Sequence, residues 1–523
     1  MKFLRINILK NFLIFKYLLI LLFFIYSFYI IIYQYDGHHV GLMYSNAIDL
    51  IKGKLPYKEI FIQYGFLTTL IHSLILLIFD NKVFFICVFN IIFYSLGILF
   101  ISKTVDNLIN VNYSLLATII ILFNHPIPWL PWSNYLAFFF ISVSLFLLSG
   151  KNKYFLPVGI FLSLSVLSRQ DFFIPIFLSF IIFCIFYILE KKKICYKCLT
   201  QLIIGFFLPI IIFLSYLFIF DIYKNWIDYL SIPKFYLDLY GVSLINIIFD
   251  YIVFFLTESF FNFIDTPQYF LISILLIFNS ILIFLKIINR IKIPNNIFFM
   301  ILLSTFLSST SVKIELFRLY TSVIFALIPL LYFLDKIKIN ELRNKVILLV
   351  LLPAMYSLIF YPFGNNDQFN KIDFHNQNLE LTSNKFDYFK WPNTKVFAIN
   401  KISNLAKRCN VEFLDNLTFD SIFSTIGDYD RIRLLPYEKV SLKNSEFHKY
   451  IDSIKNPNSD FIKLINYEIQ KNNIILLINK NNNINENNKI KFTSAYDLIE
   501  INESNIIGKP NILRIYYPLK CLN

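Results

Sequence analysis

The chain has 523 residues, of which 57% are hydrophobic and 16% charged, and its mean hydropathy is +0.61. That is too little polar surface for a water-soluble chain of this length, so the composition excludes a soluble enzyme and predicts a polytopic α-helical membrane protein. The net charge of +14 does not argue for nucleic acid, because the basic residues sit in short runs between apolar segments, where they orient spans and meet anionic lipid head groups.

Lys2, Arg5 and Lys10 precede the first apolar run, 12 to 33, and no small-residue cleavage site follows it. A retained first span with a cytoplasmic N-terminus is expected. Further apolar segments lie at 66 to 79, 82 to 102, 113 to 130, 134 to 149, 154 to 168, 171 to 190, 200 to 221, 243 to 262, 269 to 288, 294 to 311, 317 to 335 and 345 to 362, making thirteen candidates. Several are short of the roughly 20 residues that a full span needs.

The basic stretches 151 to 153, 191 to 198, 286 to 292 and 336 to 345 are expected on the cytoplasmic side. That requires one segment among 66 to 130 and one near 243 to 262 not to cross, which favours eleven spans within the bounds of 11 to 13. Residues 124 to 134 hold three prolines, as a broken or re-entrant segment would, and 243 to 262 holds Asp250 and Glu258, as an interfacial helix would. The transmembrane domain is thus assigned to 1 to 362.

After Phe363 the long apolar runs cease. Residues 363 to 523 read as a C-terminal extracytoplasmic α/β domain with strand-like pieces at Lys395–Ile399 and Ile474–Asn479. Cys409 and Cys521 either pair there or remain thiols. Cys195 and Cys198 lack the second pair that a zinc site needs.

Chemistry concentrates in the first outer loop, 34 to 65, which packs Asp36, His38, His39, Asp49, Lys52, Lys58, Glu59 and Gln63 beside the bilayer. Val40, Met43, Ala47, Leu50 and Ile51 recur at helical spacing, opposite His38, Ser45, Asp49 and Lys52, and Gly53 and Pro56 end the pattern. A short helix lying on the membrane surface, its polar side turned to water, is expected. The same outer side receives the His125 to Asn134 loop, Ser168-Arg-Gln-Asp171, the Asp221 to Tyr240 loop and Ser311 to Tyr320. An outward-facing cavity would account for ionisable groups gathering there.

Asp36-Gly-His-His39, Gly53 and Pro56-Tyr-Lys-Glu-Ile-Phe-Ile-Gln-Tyr-Gly65 resemble the C-type membrane glycosyltransferases (GT-C fold), nearest to bacterial relatives of the dolichyl-phosphate-mannose protein mannosyltransferases and lipid A aminoarabinose transferases. The likeness covers the overall layout and is specific over residues 33 to 70 and, less so, at Leu167-Ser-Arg-Gln-Asp171. One departure is Val40, where related sequences often carry an acid directly before the second glycine.

The resemblance implies a polyprenyl-phosphate sugar donor and inverting transfer to a glycan, lipid or protein acceptor outside the cytoplasm, at the plasma (inner) membrane. Asp36 would be the general base for the acceptor hydroxyl. Arg169, Lys313 and Arg318, with Lys58 fourth, would stabilise the leaving phosphate, and His38, His39, Glu59, Gln63, Tyr64, Gln170 and Asp171 would line the substrate. No nucleotide loop is visible and no metal ligands are assigned; a divalent cation is left open.

Each residue also has a plainer role open to it. Asp36 can cap a helix, Lys58 and Glu59 can form a solvated pair, Tyr64 can anchor at the interface, Arg169 and Asp171 can neutralise one another, and Arg318 can snorkel. The competing function is a transporter or flippase of lipid-linked saccharides; internal repeats and charges near the bilayer midplane would mark it, whereas no repeat is seen and the charges lie at span ends.

Overall fold

The structure is a computed structural model that describes residues 2–33, 39–60, 62, 64–124, 130–150, 154–189, 196–230, 253, 267–310, 316–360, 384–391, 393–409, 413–416, 460–479, 491, 493–504 and 510–521. The apolar runs become helices: α1 (Lys2–Tyr33), α2 (His39–Ile51), α3 (Phe66–Ile78), α4 (Val83–Leu108), α5 (Val111–Phe123), α6 (Ser133–Ser149), α7 (Phe155–Ser168), α8 (Phe173–Leu189), α9 (Tyr196–Ile219), the short α10 (Tyr223–Tyr229), α11 (Pro267–Ile287), α12 (Asn295–Leu307), α13 (Leu316–Val323), α14 (Leu327–Lys336) and α15 (Asn340–Phe360). Among the described residues, five helical stretches are long and apolar enough to cross a membrane, and six apolar helices are shorter. The segment 243 to 262 lies outside the described residues apart from Val253.

Local chemistry explains several boundaries. Asn110 caps α5 by accepting from the amides of Asn112 and Tyr113 at 3.0 and 3.2 Å. The run expected as one segment at 317 to 335 tightens into a 3₁₀ turn at Ile324–Ala326. Pro329 cannot donate to the carbonyl four residues back, which loosens the α-pattern at that point. Gly159 on α7 and Gly205 on α9 are each placed where a methyl group would overlap the facing helix backbone, so these two helices cross at backbone contact.

The outer faces of the bundle are apolar. On α9, Ile203, Ile204, Phe207, Leu208, Ile211 and Ile212 are all exposed, a continuous greasy surface of the kind that meets lipid rather than water.

Contacts between helix ends sort the bundle into two ends. At one, Asn107 of α4 donates to Ser149 of α6 at 3.0 Å. At the other, the Lys390 amide donates to the Ile32 carbonyl at 2.6 Å, Lys82 pairs with Asp387 at 3.1 Å, and Tyr44 donates to the Asn81 carbonyl at 2.9 Å. Both termini of α3 lie at this second end, since Gly65 packs on Ser168 and Asn81 meets Tyr44. Among the described helices between 66 and 130, α3 thus begins and ends at the same end of the bundle; residues 125 to 129 of the proline-rich stretch lie outside the described residues.

The α2 helix forms where its pattern predicts, and Gly53 follows it at φ +82°. Its polar side is only partly turned to water, for Lys52 is exposed but the rest of the described face is not. Ser45 and Asp49 are buried along with Val40, Met43 and Ala47; the Ser45 hydroxyl donates to the Gly41 carbonyl at 2.7 Å, and Asp49 pairs with Lys54 at 3.1 Å. A polar helix face with internal partners can be covered by protein as readily as by solvent.

The C-terminal part holds a sheet of order β1-β2-β4-β3, formed by β1 (Phe413–Asn416), β2 (Ile474–Asn479), β3 (Tyr496–Ser504) and β4 (Pro510–Pro518). β1 runs parallel to β2, and the other pairs are antiparallel, with Glu500 opposite Arg514. Ile474–Asn479 is a strand as expected, but Lys395–Ile399 is not: it belongs to α16 (Asn393–Arg408), whose Val396, Ile399, Ile402 and Leu405 are buried at helical spacing. A second helix, α17 (Asp460–Gln470), precedes β2, and Cys409 and Cys521 are joined by a disulfide.

Candidate active site

The exit of the first loop is fastened to the α7–α8 junction. Tyr64 gives its carbonyl to the Gln170 amide at 2.9 Å, and Thr68 donates to the Ser168 carbonyl at 3.1 Å. Gly65 is in extended backbone, where any residue fits by conformation, yet an added methyl would overlap the carbonyl oxygens of Leu167 and Ser168. The glycine is required by close approach rather than by φ.

Arg169 then turns inward. It is 1% exposed, the carboxylate of Asp171 accepts from its Nε at 2.8 and 3.0 Å and from Nη2 at 2.7 Å, and Asn134 Oδ1 accepts from Nη1. The guanidinium also lies 4.8 Å from the centre of the Phe172 ring. A buried guanidinium needs its charge and donors met, and this arrangement pairs the charge and engages Nε and both Nη atoms. Asp171 keeps one edge open to solvent, its side chain being 30% exposed.

Trp132 links this pair to the first loop. Its ring is 4.2 Å from that of His39, edge to face, and 6.5 Å from that of Tyr64. The structure thus brings together His39, Tyr64, Arg169, Gln170 and Asp171, and adds Trp132 and Asn134. Their sequence signal was only membership of the loop between 125 and 134.

The other expected residues fall elsewhere. Lys58 and Glu59 are both exposed, and Glu59 accepts from the Leu55 amide at 2.7 Å, so it braces its own loop. Asp36, His38, Gln63 and Lys313 lie outside the described residues, as does the side chain of Arg318, whose backbone is in α13. Among the described residues no group of three or more His, Cys, Asp or Glu is placed to hold a metal.

The arrangement offers a partly open carboxylate, a cluster of aromatic faces and a set of buried donors at one end of the bundle. Such a mixture suits a polar ligand with both rings and charge. No protein-family model matches the chain, and no curated protein matches it.

Proposed function

We propose that the chain is an inverting glycosyltransferase of the plasma membrane, transferring a sugar from a polyprenyl-phosphate donor to an extracytoplasmic glycan, lipid or protein. The observation that carries this reading is the fastening of Tyr64-Gly65 to Ser168-Arg169-Gln170. These are the two stretches in which the sequence resembles the C-type enzymes, and they form one surface.

In this reading eleven helical passes cross the bilayer: α1, α4 to α9, α11, α12, the α13–α14 pair and α15, with α2 and α3 held at the outer end. The N-terminus is cytoplasmic. The C-terminal domain is extracytoplasmic, and the Cys409–Cys521 disulfide supports an oxidising compartment for it. That domain meets the end that carries the site where Phe389 packs on Phe84, with the exposed Lys82–Asp387 pair at the same end.

Asp36, three residues before His39 in the chain, takes the proton of the acceptor hydroxyl as it attacks the anomeric carbon. The lipid phosphate leaves from the opposite face of the sugar, and donors at the site stabilise the charge it gains. No step requires a metal, and a divalent cation is left open.

The test is transfer of labelled sugar from a panel of polyprenyl-phosphate sugars by the full chain in lipid nanodiscs. Wild type is expected to transfer, and Asp36→Asn to lose at least about a hundredfold while still binding donor. Full activity of Asp36→Asn removes that residue as the base. Movement of an intact lipid-linked saccharide across the bilayer, with no transfer from any donor, would replace the enzyme by a flippase.

A further inference from the structure

The first turn of α6 is buried and only partly matched: the Tyr135 amide donates to the Trp132 carbonyl at 3.1 Å, whereas two side-chain groups beside it are left over. Ser133 and Asn134 are 0% and 2% exposed. The residue before them, Trp132, is in extended backbone and supplies no side-chain cap. The leading amides of a helix have no partner within the helix.

Two side-chain atoms repeat the theme. Ser133 Oγ and Asn134 Nδ2 are buried and, among the described residues, make no hydrogen bond. Asn134 accepts from Arg169 through Oδ1, so its acceptor half is occupied and its donor half is left over. Arg169 is itself matched by Asp171; it fixes the direction of the amide more than it adds net charge.

We propose that the amino-terminus of α6 binds the oxygens of a phosphate group, with Ser133 Oγ, Asn134 Nδ2 and the Ser133 and Asn134 amides as its ligands. A neutral sugar hydroxyl would need acceptors as well as donors, and a cation would need acceptors alone. An oxyanion needs only donors, and the positive end of a 17-residue helix favours it further. Gln170 Oε1, on the residue after Arg169, is also buried and, among the described residues, unpartnered; it suits a hydroxyl on the group that carries the phosphate. The phosphate is borne by a lipid if the glycosyltransferase reading holds, and the site rests on that reading for this identity alone.

The test uses the full chain in zwitterionic nanodiscs, with farnesyl phosphate, farnesol and inorganic phosphate as probes. Asn134→Asp keeps the shape and can still pair with Arg169 while placing negative charge on the site; Ser133→Ala removes one donor and leaves the backbone. Farnesyl phosphate is expected to bind wild type, to weaken at least about tenfold in Asn134→Asp, and to weaken severalfold in Ser133→Ala. Farnesol is expected to bind all three alike.

Binding of inorganic phosphate with the same dependence on the variants supports the site and assigns it to a free anion; its absence assigns it to a lipid-borne one. Farnesyl phosphate affinity within about twofold of wild type in both folded variants overturns the proposal, as does equally tight binding of farnesol. Should Asn134→Asp fail to fold, Ser133→Ala alone decides. If no donor supports transfer while anion binding still falls in the variants, the glycosyltransferase reading fails and the site stands; with transfer intact and binding insensitive, only the site fails.

Discussion

Arg169 and Asp171, two residues apart, are locked together by contacts of 2.7, 2.8 and 3.0 Å between guanidinium and carboxylate. One partner is buried and the other is 30% open at its side chain, so removing either leaves different things behind. Asp171→Asn strands a buried cation and is expected to cost about 1–3 kcal/mol, less than for a fully buried pair because water reaches the carboxylate. Arg169→Leu with Asp171→Leu removes both charges and is expected to regain much of that loss without restoring sugar transfer. Thermal unfolding of the purified protein, read beside transfer, separates the two effects; a double variant no more stable than Asp171→Asn would sink this account.

Gly65 and Gly53 make a contrast within one loop. Gly65→Ala collides with two backbone carbonyls and is expected to cost about 1–3 kcal/mol and to abolish transfer, because the loop exit can no longer sit on Ser168. Gly53 has φ +82° and open space around it, so Gly53→Ala is expected to cost about 1 kcal/mol from backbone strain and to leave transfer per folded molecule unchanged. Equal loss of activity in the two variants would contradict the geometry.

The helix positions were legible in the sequence because a bilayer-sized apolar run has few other fates: the runs at 82 to 102 and 269 to 288 became Val83–Leu108 and Pro267–Ile287. The meeting of the first loop with Ser168–Asp171 was legible only as shared sidedness. The partners Trp132 and Asn134 were not, since nothing local in Trp-Ser-Asn says that α6 begins against Arg169. The direction of Asp49 was misread because helical periodicity separates two faces without saying what covers each. Lys395–Ile399 was misread because a lysine and four apolar residues are too short a run to tell a strand from a helix; the longer pattern to Leu405 decides for the helix.

Tyr517 and Asp497 give the C-terminal sheet a pH dependence of known sign. Burial, and then the hydrogen bond that the Tyr517 hydroxyl donates to Asp497 at 2.9 Å, push the phenol up to about 12. The unfolded chain releases this proton near its ordinary value of about 10, the folded chain later. The contribution to stability is therefore complete below pH 10 and is lost as pH rises through about 12. Tyr517→Phe is expected to reduce the slope of stability against pH over that interval, measured by denaturant unfolding; an unchanged slope would assign alkaline sensitivity to other groups.

Trp391 rather than the Lys82–Asp387 pair holds the C-terminal part to the bundle. The ion pair is 22% and 41% exposed at its side chains, and pairs of that kind contribute about 1 kcal/mol at most. Trp391 is 2% exposed and stacks on Phe389 at 4.5 Å, which packs on Phe84 of α4 at 5.6 Å. Trp391→Ala is expected to cost about 3–5 kcal/mol and to open the 384 to 391 segment to protease, whereas Lys82→Ala does neither. Rapid cleavage of Lys82→Ala and none of Trp391→Ala would reverse the assignment.

A second ion pair, with its lysine buried, offers a test of enzyme against transporter. Lys16 of α1 is 0% exposed, pairs with Asp106 of α4 and donates to Ser114 of α5 at 3.0 Å, where Ser102 and Thr118 continue the chain of hydrogen bonds. Lys16 stands 17 residues before the end of α1, about 25 Å along the helix from the end that bears the site. The pair stands near the end of the bundle marked by Asn107 and Ser149; a translocation pathway could use it there, and it is equally what three packed helices need once one of them carries a lysine. The glycosyltransferase reading requires the second role alone. Lys16→Met is then expected to leave the partly open Asp106 unpaired and destabilise the protein by about 1–3 kcal/mol, Lys16→Met with Asp106→Leu to recover much of it, and transfer per folded molecule to survive in the double variant. A stable double variant that has lost all transfer would place this pair in the working machinery and count against a reaction confined to the outer end.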